Sequence, residues 1–400
     1  MNILLSSYSF GAHRGSEAGV GWNVACGLAR RGHGVTVVTT HEFGESNHRA
    51  IAEEGLNIRL IEEDCGVSYY PGSASYRQWQ RKIGAVIKRA ASKEKYDVVH
   101  HVTFNQYRNI QDVFAADLPY VIGPVGGAEL IPPPLMRYGD LPLKMRIKEA
   151  LRYVPWDAMP LVSRCKRSRS RGQVLVSNSA TAERLKALPV APIICPAIAI
   201  HEHEIVESPA GANATSPYIL FDGGLARPQK GTWLALRAFR RLWAGGARMA
   251  LRMVGVPPAD AATIRQYAQS ISLPGEALQL EPQVSRDCML AYMQQATAML
   301  SCVYRDSGSM ALLEALAQGC NIVCLDIPSQ QWLPEMFCRK VPVQASSAAM
   351  EQAIATALQE AADTTRLPQW HAERCDWLRQ HMTWDSKIST LEQFYQAIIS

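Results

Sequence analysis

Residues 298–326, AMLSCVYRDSGSMALLEALAQGCNIVCLD, constrain the fold of this chain more than any other stretch. An apolar run from Met299 to Val303 ends in a polar turn containing Gly308. An Ala/Leu-rich helix follows, then Gly319, then a second apolar run from Ile322 to Leu325. Strand, loop, helix, glycine stop and strand is the repeating unit of a parallel sheet. In such sheets ligands settle beyond the carboxyl ends of the strands, where the next helix offers unpaired N–H groups and a partial positive charge. The loop from Arg305 to Met310 stands at that place.

Two carboxylates frame this loop. Asp306 follows the strand, and Glu314 comes eight positions later, between one and two turns into the helix. Between them, Gly308 lets a ligand approach the backbone closely, with Ser307, Ser309 and Met310 completing the turn. A sugar nucleotide suits this layout, because its diphosphate takes N–H donors while its ribose and sugar hydroxyls take carboxylate acceptors. Taken singly, Asp306 reads equally as a turn former and Glu314 as a solvated helix residue. Acid, seven residues, acid, followed by Ala315, Ala317 and Gly319, resembles the donor-binding signature of retaining family 4 glycosyltransferases of the GT-B fold. The usual first acid there is Glu; Asp306 is one methylene shorter.

With 400 residues and 48% hydrophobic content, the chain is long enough for two cores and too long for one ordinary core. Met1 runs directly into NILLSSYSF, which reads as a first strand and not as a leader. Arg, Pro or Gly interrupts every apolar run before the ~20 residues that a membrane span requires. The ten cysteines include no CxxC pair and sit mostly in apolar runs, which reads as small buried hydrophobes in a reducing compartment, with no metal site. A net charge of +5 suggests a local basic patch and not a nucleic-acid-coating protein.

Strand Asn2 to Ser7 leads into FGAHRGSEAGVGW and a helix from Trp22 to Arg31, and HGVTVVTT gives the second strand. Gly11, Gly15, Gly19 and Gly21 read as a loop under a ligand, although they fit neither the GxGxxG nor the P-loop spacing. GSEAGVGW resembles the opening loop of a bacterial surface-polysaccharide subgroup of the same transferases. The resemblance places Gly15 at the donor and Glu17 on the acceptor side. Further on, Val98 and Val99 deliver His100 and His101 to a strand end. Adjacent strand residues point to opposite faces, so at most one of the two serves the site. In the resembling family Asp, two apolar residues and His mark a histidine near the transferred sugar. His100 fits that register, His101 is held in reserve, and a hydrogen-bonded structural histidine is the other reading. Leu118 to Ile122 ends in GPVGGAELIPPP, again similar to the bacterial subgroup, which places Gly126, Gly127 and Glu129 on the acceptor side; an exposed loop Glu is the alternative.

From Leu143 to Arg171 basic residues dominate, including Lys144, Arg146, Lys148 and Arg152, interleaved with Leu143, Met145, Ile147, Leu151, Tyr153 and Trp156. This reads either as a membrane-surface segment or as a solvated helix. Ser177 and Ser179 are helix-cap candidates in VLVSNSATAERL. SPAGANATSP, from Ser208 to Pro217, is the linker candidate. The second half opens YILFDGGLARPQKG, in which Gly223, Gly224, Arg227, Lys230 and Gly231 form a cationic, backbone-accessible loop suited to a diphosphate. It resembles the family's G-R-L-x-x-x-K-G motif, with Gly224 where Arg is usual and one extra residue before Lys230. The closing segment, MTWDSKISTLEQFYQAI, carries Ile388, Leu391, Phe394, Tyr395 and Ile398 at helical spacing.

The expected fold is α/β: a GT-B pair of Rossmann-like domains with parallel sheets facing a central cleft. Residues 1–207 would form the acceptor-side domain and 216–380 the nucleotide-sugar domain, with 381–400 returning as a helix. The resemblance implies retaining transfer of a sugar from a nucleotide-sugar donor to a lipid-linked or glycan acceptor during surface-polysaccharide assembly. It implies catalysis by His100, Arg227, Lys230 and Asp306, donor binding by Gly15, Gly224, residues 307–310 and Glu314, and neither a metal nor another cofactor. The expected place of action is cytoplasmic, peripheral on the anionic inner face of the cytoplasmic membrane, with no nucleic-acid partner. A sugar-nucleotide epimerase of the same fold and a non-catalytic partner subunit are the competing classes.

Overall fold

The computed structural model describes residues 1–12, 14–63, 73–207, 217–364 and 367–400. It divides into two compact units. Unit 1 comprises Met1–Ala128, Val154–Ala199 and Met382–Ser400, and unit 2 comprises Glu129–Tyr153 and Ile200–His381.

Unit 1 is built on seven strands: β1 (Asn2–Ser7), β2 (Gly34–Thr39), β3 (Ile58–Glu62), β4 (Val98–Thr103), β5 (Tyr120–Val125), β6 (Gly172–Val176) and β7 (Ile193–Ile194). They pair in parallel in the order β3-β2-β1-β4-β5-β6-β7. Both faces are covered, so the central strands are buried along nearly their whole length. Strand alternation sorts these residues into two layers. Leu4, Val38, Val99 and Ile122 pack with Tyr76, Trp79 and Ile83 of the helix Ser73–Lys93. Ile3, Leu5, Val37, Val98 and Val121 pack with the helix Ser16–Arg30 and with Trp384, Ile388, Leu391 and Tyr395 of the terminal helix Trp384–Ile399. Each such fully buried aliphatic side chain stabilises by ~1.5–3 kcal/mol. The two helices meet at Gly27, where a Cβ would lie 2.5 Å from Ile388 Cγ1.

Unit 2 has six parallel strands: β8 (Tyr218–Asp222), β9 (Ala250–Val254), β10 (Leu278–Glu281), β11 (Ala298–Ser301), β12 (Ile322–Asp326) and β13 (Arg339–Pro342), ordered β10-β9-β8-β11-β12-β13. The strand–loop–helix–strand unit of 298–326 lies at its centre, as β11, the helix Met310–Ala317 and β12.

Three readings need correction. Residues 129–153, and 200–207 with them, belong to unit 2 and not to the first domain. Ile131, Leu135 and Leu141 fill the unit 2 core, and Asp140 accepts Arg237 through both oxygens at 2.8 Å and the Tyr304 hydroxyl at 2.6 Å. The helix expected from Trp22 begins at Ser16. Gly19 and Gly21 therefore lie inside it, where a Cβ would meet Arg14 O at 2.2 Å and Ser7 Oγ at 2.4 Å. The cap of the helix Ser179–Arg184 is neither Ser177 nor Ser179 but Asn178, whose side chain accepts from Thr181 N at 3.0 Å. Of the linker candidate, residues 208–216 lie outside the described residues, as does the side chain of Trp156. No described helix is long and apolar enough to cross a membrane.

Candidate functional site

In unit 2, charged groups converge at the carboxyl ends of β8 and β11. After β11 the chain passes Tyr304, tied to Asp140, and Arg305, whose guanidinium lies 3.0 Å from buried Glu149. These contacts fix the start of the loop before its functional atoms are placed. Asp306 is partly buried and turns back on the loop, its carboxylate accepting the Ser307 N–H at 2.8 Å and the Gly308 N–H. Burial pushes Asp306 up to about 6; the negative charge of Glu129 adds to the rise, and the loop N–H groups and Lys230 oppose it. Ser309 caps the helix Met310–Ala317, its Oγ accepting from Leu312 N at 3.4 Å. One to two turns on, Glu314 accepts from Arg286 Nε at 2.9 Å. Burial raises Glu314 above the usual carboxylate range and Arg286 pulls against it.

From β8, Asp222 receives Lys230 Nζ at 2.5 Å. Between them the loop is held by Leu225 N–H donating to Asp260 at 3.1 Å and Thr232 Oγ1 donating to Gly224 O at 2.9 Å. Gly224 packs closely here, since its Cβ would stand 3.0 Å from Gly255 O. The extra residue before Lys230 is absorbed by a 3-10 turn, Pro228–Lys230, which ends at Gly231 with φ +73°. No side chain fits at Gly231: its Cβ would lie 2.3 Å from Cys302 O. Arg227 is exposed, and its guanidinium has no partner among the described residues.

The structure thus gathers Gly224, Lys230, residues 306–310 and Glu314 in one place. It adds Glu129, which is buried in unit 2 and not in the expected acceptor-side domain. The sequence reading missed Asp222, Glu204 and Arg286. Asp222 was visible as an acid at a strand end before two glycines. Arg286 gave no local signal; it bridges Glu204 at 2.5 Å and Glu314 across distant segments.

In unit 1, Gly15 is the N-cap of the helix Ser16–Arg30, with open space where its Cβ would be. In that helix's first turn, both carboxylate oxygens of Glu17 accept the Asn105 N–H at 3.2 Å. Burial pushes Glu17 up to about 7, while that N–H and neighbouring His101 pull it down. A carboxyl group poised near neutrality can give or take a proton. Gly126 O accepts from Tyr107 N at 3.3 Å, and Gly127, at φ +96°, accepts at its carbonyl from Arg108 at 3.0 Å.

His100 does not stand ready for a sugar. It is wholly buried, its Nε2–H donates to Gly123 O at 2.6 Å, and its Nδ1 accepts from the Tyr395 hydroxyl at 2.6 Å. Its register partner Leu5 faces the terminal helix, and so does His100. His101 faces the other way and is equally buried, bonding Asp112 at 2.7 Å and Tyr76 at 3.1 Å. Both imidazoles are fully hydrogen-bonded within unit 1. Burial lowers His100 to about 4, so it folds neutral and its contribution is present above the unfolded value of ~6.5 and lost as pH falls towards 4. His100→Ala is expected to cost about 2 kcal/mol by stranding two buried partners and to flatten that acid limb, with turnover per folded molecule kept. Urea midpoints between pH 4 and 7 check this; unchanged stability with lost turnover would restore a role at the sugar.

Among the described residues, no three or more His, Cys, Asp or Glu side chains are grouped as a metal site, and the nine described cysteines are free thiols.

Residues 216–360 match the family described as Glycosyl transferases group 1. No curated protein matches the chain. Solved structures match over its whole length. Sucrose-phosphate synthase from Thermosynechococcus elongatus is 16% identical, covers 99% of this chain and 98% of its own, and superposes with a TM-score of 0.65. The lipopolysaccharide outer core galactosyltransferase WaaB is 10% identical with 99% of each chain covered and a TM-score of 0.66. Anabaena HepE, in complex with UDP and glucose, is 13% identical, covers 99% and 100%, and has a TM-score of 0.63. At these identities the likeness shows the fold, which is that of GT-B glycosyltransferases.

Proposed function

We propose that this chain transfers a sugar from a nucleotide-sugar donor to an acceptor hydroxyl. The observation that carries the reading is the cluster of Lys230, Asp306 and Glu314 at the ends of β8 and β11, inside the segment that matches the group 1 glycosyltransferases. The diphosphate lies against Lys230 and the first N–H groups of the helix Met310–Ala317, with Arg227 free to close on it. Glu314 accepts from the ribose hydroxyls and Asp306 from the sugar. Stabilising the charge that grows on the departing nucleoside diphosphate is an electrostatic task that these groups can perform without a metal. The configuration at the anomeric carbon is retained.

The acceptor is a lipid-linked glycan of a bacterial surface polysaccharide. The fold-level likeness to WaaB favours that choice, and HepE makes UDP-sugars the first donors to try. The test is incubation with UDP-, GDP- and ADP-sugars, with and without a lipid-linked acceptor, followed by assay of free nucleoside diphosphate and analysis of the donor. Acceptor-dependent release of nucleoside diphosphate, unchanged in EDTA, is the expected result. An epimerised donor would replace the transferase with an epimerase, and no nucleotide binding at all would leave a non-catalytic subunit.

A further inference from the structure

The helix Leu143–Leu151 turns its apolar side outward. At about 100° per residue, Met145 and Glu149 share one side, and that side is anchored in unit 2: Met145 packs on the core, and Glu149, 1% exposed, pairs with Arg305 at 3.0 Å and Arg152 at 3.4 Å. The opposite side carries Leu143, Ile147 and Leu151, which are 68%, 56% and 66% exposed. Three large aliphatic side chains one turn apart, all in water, form a continuous stripe. Scattered single apolar residues are ordinary on a protein surface; an aligned stripe marks an interaction face.

The charges around the stripe identify the partner. Lys144 and Lys148 flank it on one edge and Arg146 on the other, all exposed, and the helix's one acid is the buried Glu149. An apolar stripe between two cationic edges is the arrangement of a helix lying in the plane of a bilayer, its aliphatic side chains among the acyl chains and its cations level with anionic headgroups. We propose that unit 2 docks on an anionic membrane surface through Leu143, Ile147 and Leu151, with Lys144, Arg146 and Lys148 as the electrostatic edges. Arg152, which the sequence placed among the basic contacts, is committed to Glu149 and to Glu129 O at 3.3 Å and takes no part. The inference rests on the lipid-linked acceptor of the proposed function for its purpose: a protein held at the bilayer meets that acceptor in two dimensions.

Flotation with vesicles of phosphatidylcholine, alone or mixed with phosphatidylglycerol, tests it without any donor chemistry. The wild-type chain is expected to float with the anionic vesicles, less so as salt rises. Leu143→Ser/Ile147→Ser/Leu151→Ser abolishes flotation at every salt concentration. Lys144→Ser/Arg146→Ser/Lys148→Ser weakens it by roughly a hundredfold, because each cation near the surface contributes about a factor of five to ten. All six side chains are exposed, so both variants keep the wild-type melting temperature. The proposal is overturned if the wild-type chain stays at the bottom of the gradient, if either variant floats as well as the wild type, or if the apolar variant merely converts a dimer to a monomer, which would make the stripe a contact between two copies. Intact flotation with no nucleotide release would instead count against the transferase reading alone.

Discussion

Lys230→Ala is expected to lower kcat about a hundredfold or more, with a smaller rise in donor KM. The lysine sits on the 3-10 turn Pro228–Lys230, and the left-handed Gly231 fixes where that turn ends. Nζ lies 2.5 Å from Asp222 before any donor arrives, so the cation is already aimed and partly desolvated. An incoming diphosphate exchanges one anionic partner for another, and the ground state gains little. The gain comes when charge builds on the leaving phosphate, and removing a single preorganised donor of that kind costs ~10²–10³ in turnover. The loss of charge has a second consequence: Lys230 opposes the rise of Asp306, already pushed up to about 6, so its removal moves the acid limb of the rate profile upward in pH. Arg227→Ala should act mainly through KM, since an exposed guanidinium has no fixed position from which to select the transition state. Steady-state kinetics over pH 5–8 separate the two. Equal kcat in Lys230→Ala and wild type would remove the lysine from the chemistry.

The parts of the fold legible in the sequence are those written in local periodicity. The glycine-stopped unit of 298–326, the first strand and the terminal helix all announce themselves by apolar spacing, because each side chain's burial follows from its position along its own element. What was hidden depends on partners remote in sequence. His100 looked available because nothing near it in the chain shows that Tyr395, 295 residues away, takes its Nδ1. Residues 129–153 follow a unit 1 strand closely, and it takes the burial of Ile131, Leu135 and Leu141 in the unit 2 core and the pairing of Asp140 with Arg237 and of Glu149 with Arg305 to reveal that they pack in unit 2. Glu129 travels with them to stand near Asp306. Gly19 and Gly21 misled for another reason: glycine is a poor helix former, so two of them read as loop, yet here they let a helix start against Arg14 O and Ser7 Oγ. Within the candidate site, the acids and the lysine were legible as residue types at a spacing, whereas the cation that holds Glu314 was not.

That cation decides how the second large effect should be read. Glu314→Ala is expected to lower kcat/KM about a hundredfold, or ~3 kcal/mol, by taking a charged acceptor from the ribose hydroxyls of the bound donor. Glu314 is also half of an ion pair with Arg286, which Glu204 shares, so the same substitution could act by loosening the packing of the helices Arg286–Gln295 and Met310–Ala317. The two effects differ in what else they move. If Glu314 binds the donor, Glu314→Ala loses the melting-temperature rise that nucleoside diphosphate gives the wild type, and Arg286→Gln, which leaves the carboxylate in place, keeps most of that rise. If the pair is only structural, both variants melt early and both still respond to nucleotide. Asp306→Asn supplies the control on the acid side of the loop. Asp306 takes up a proton as pH falls through about 6, so donor affinity in the wild type should weaken below that pH, and the asparagine variant should show a flat, weakened profile across it. A Glu314→Ala enzyme with wild-type kcat/KM and an intact nucleotide response would overturn the assignment of this loop as the donor site.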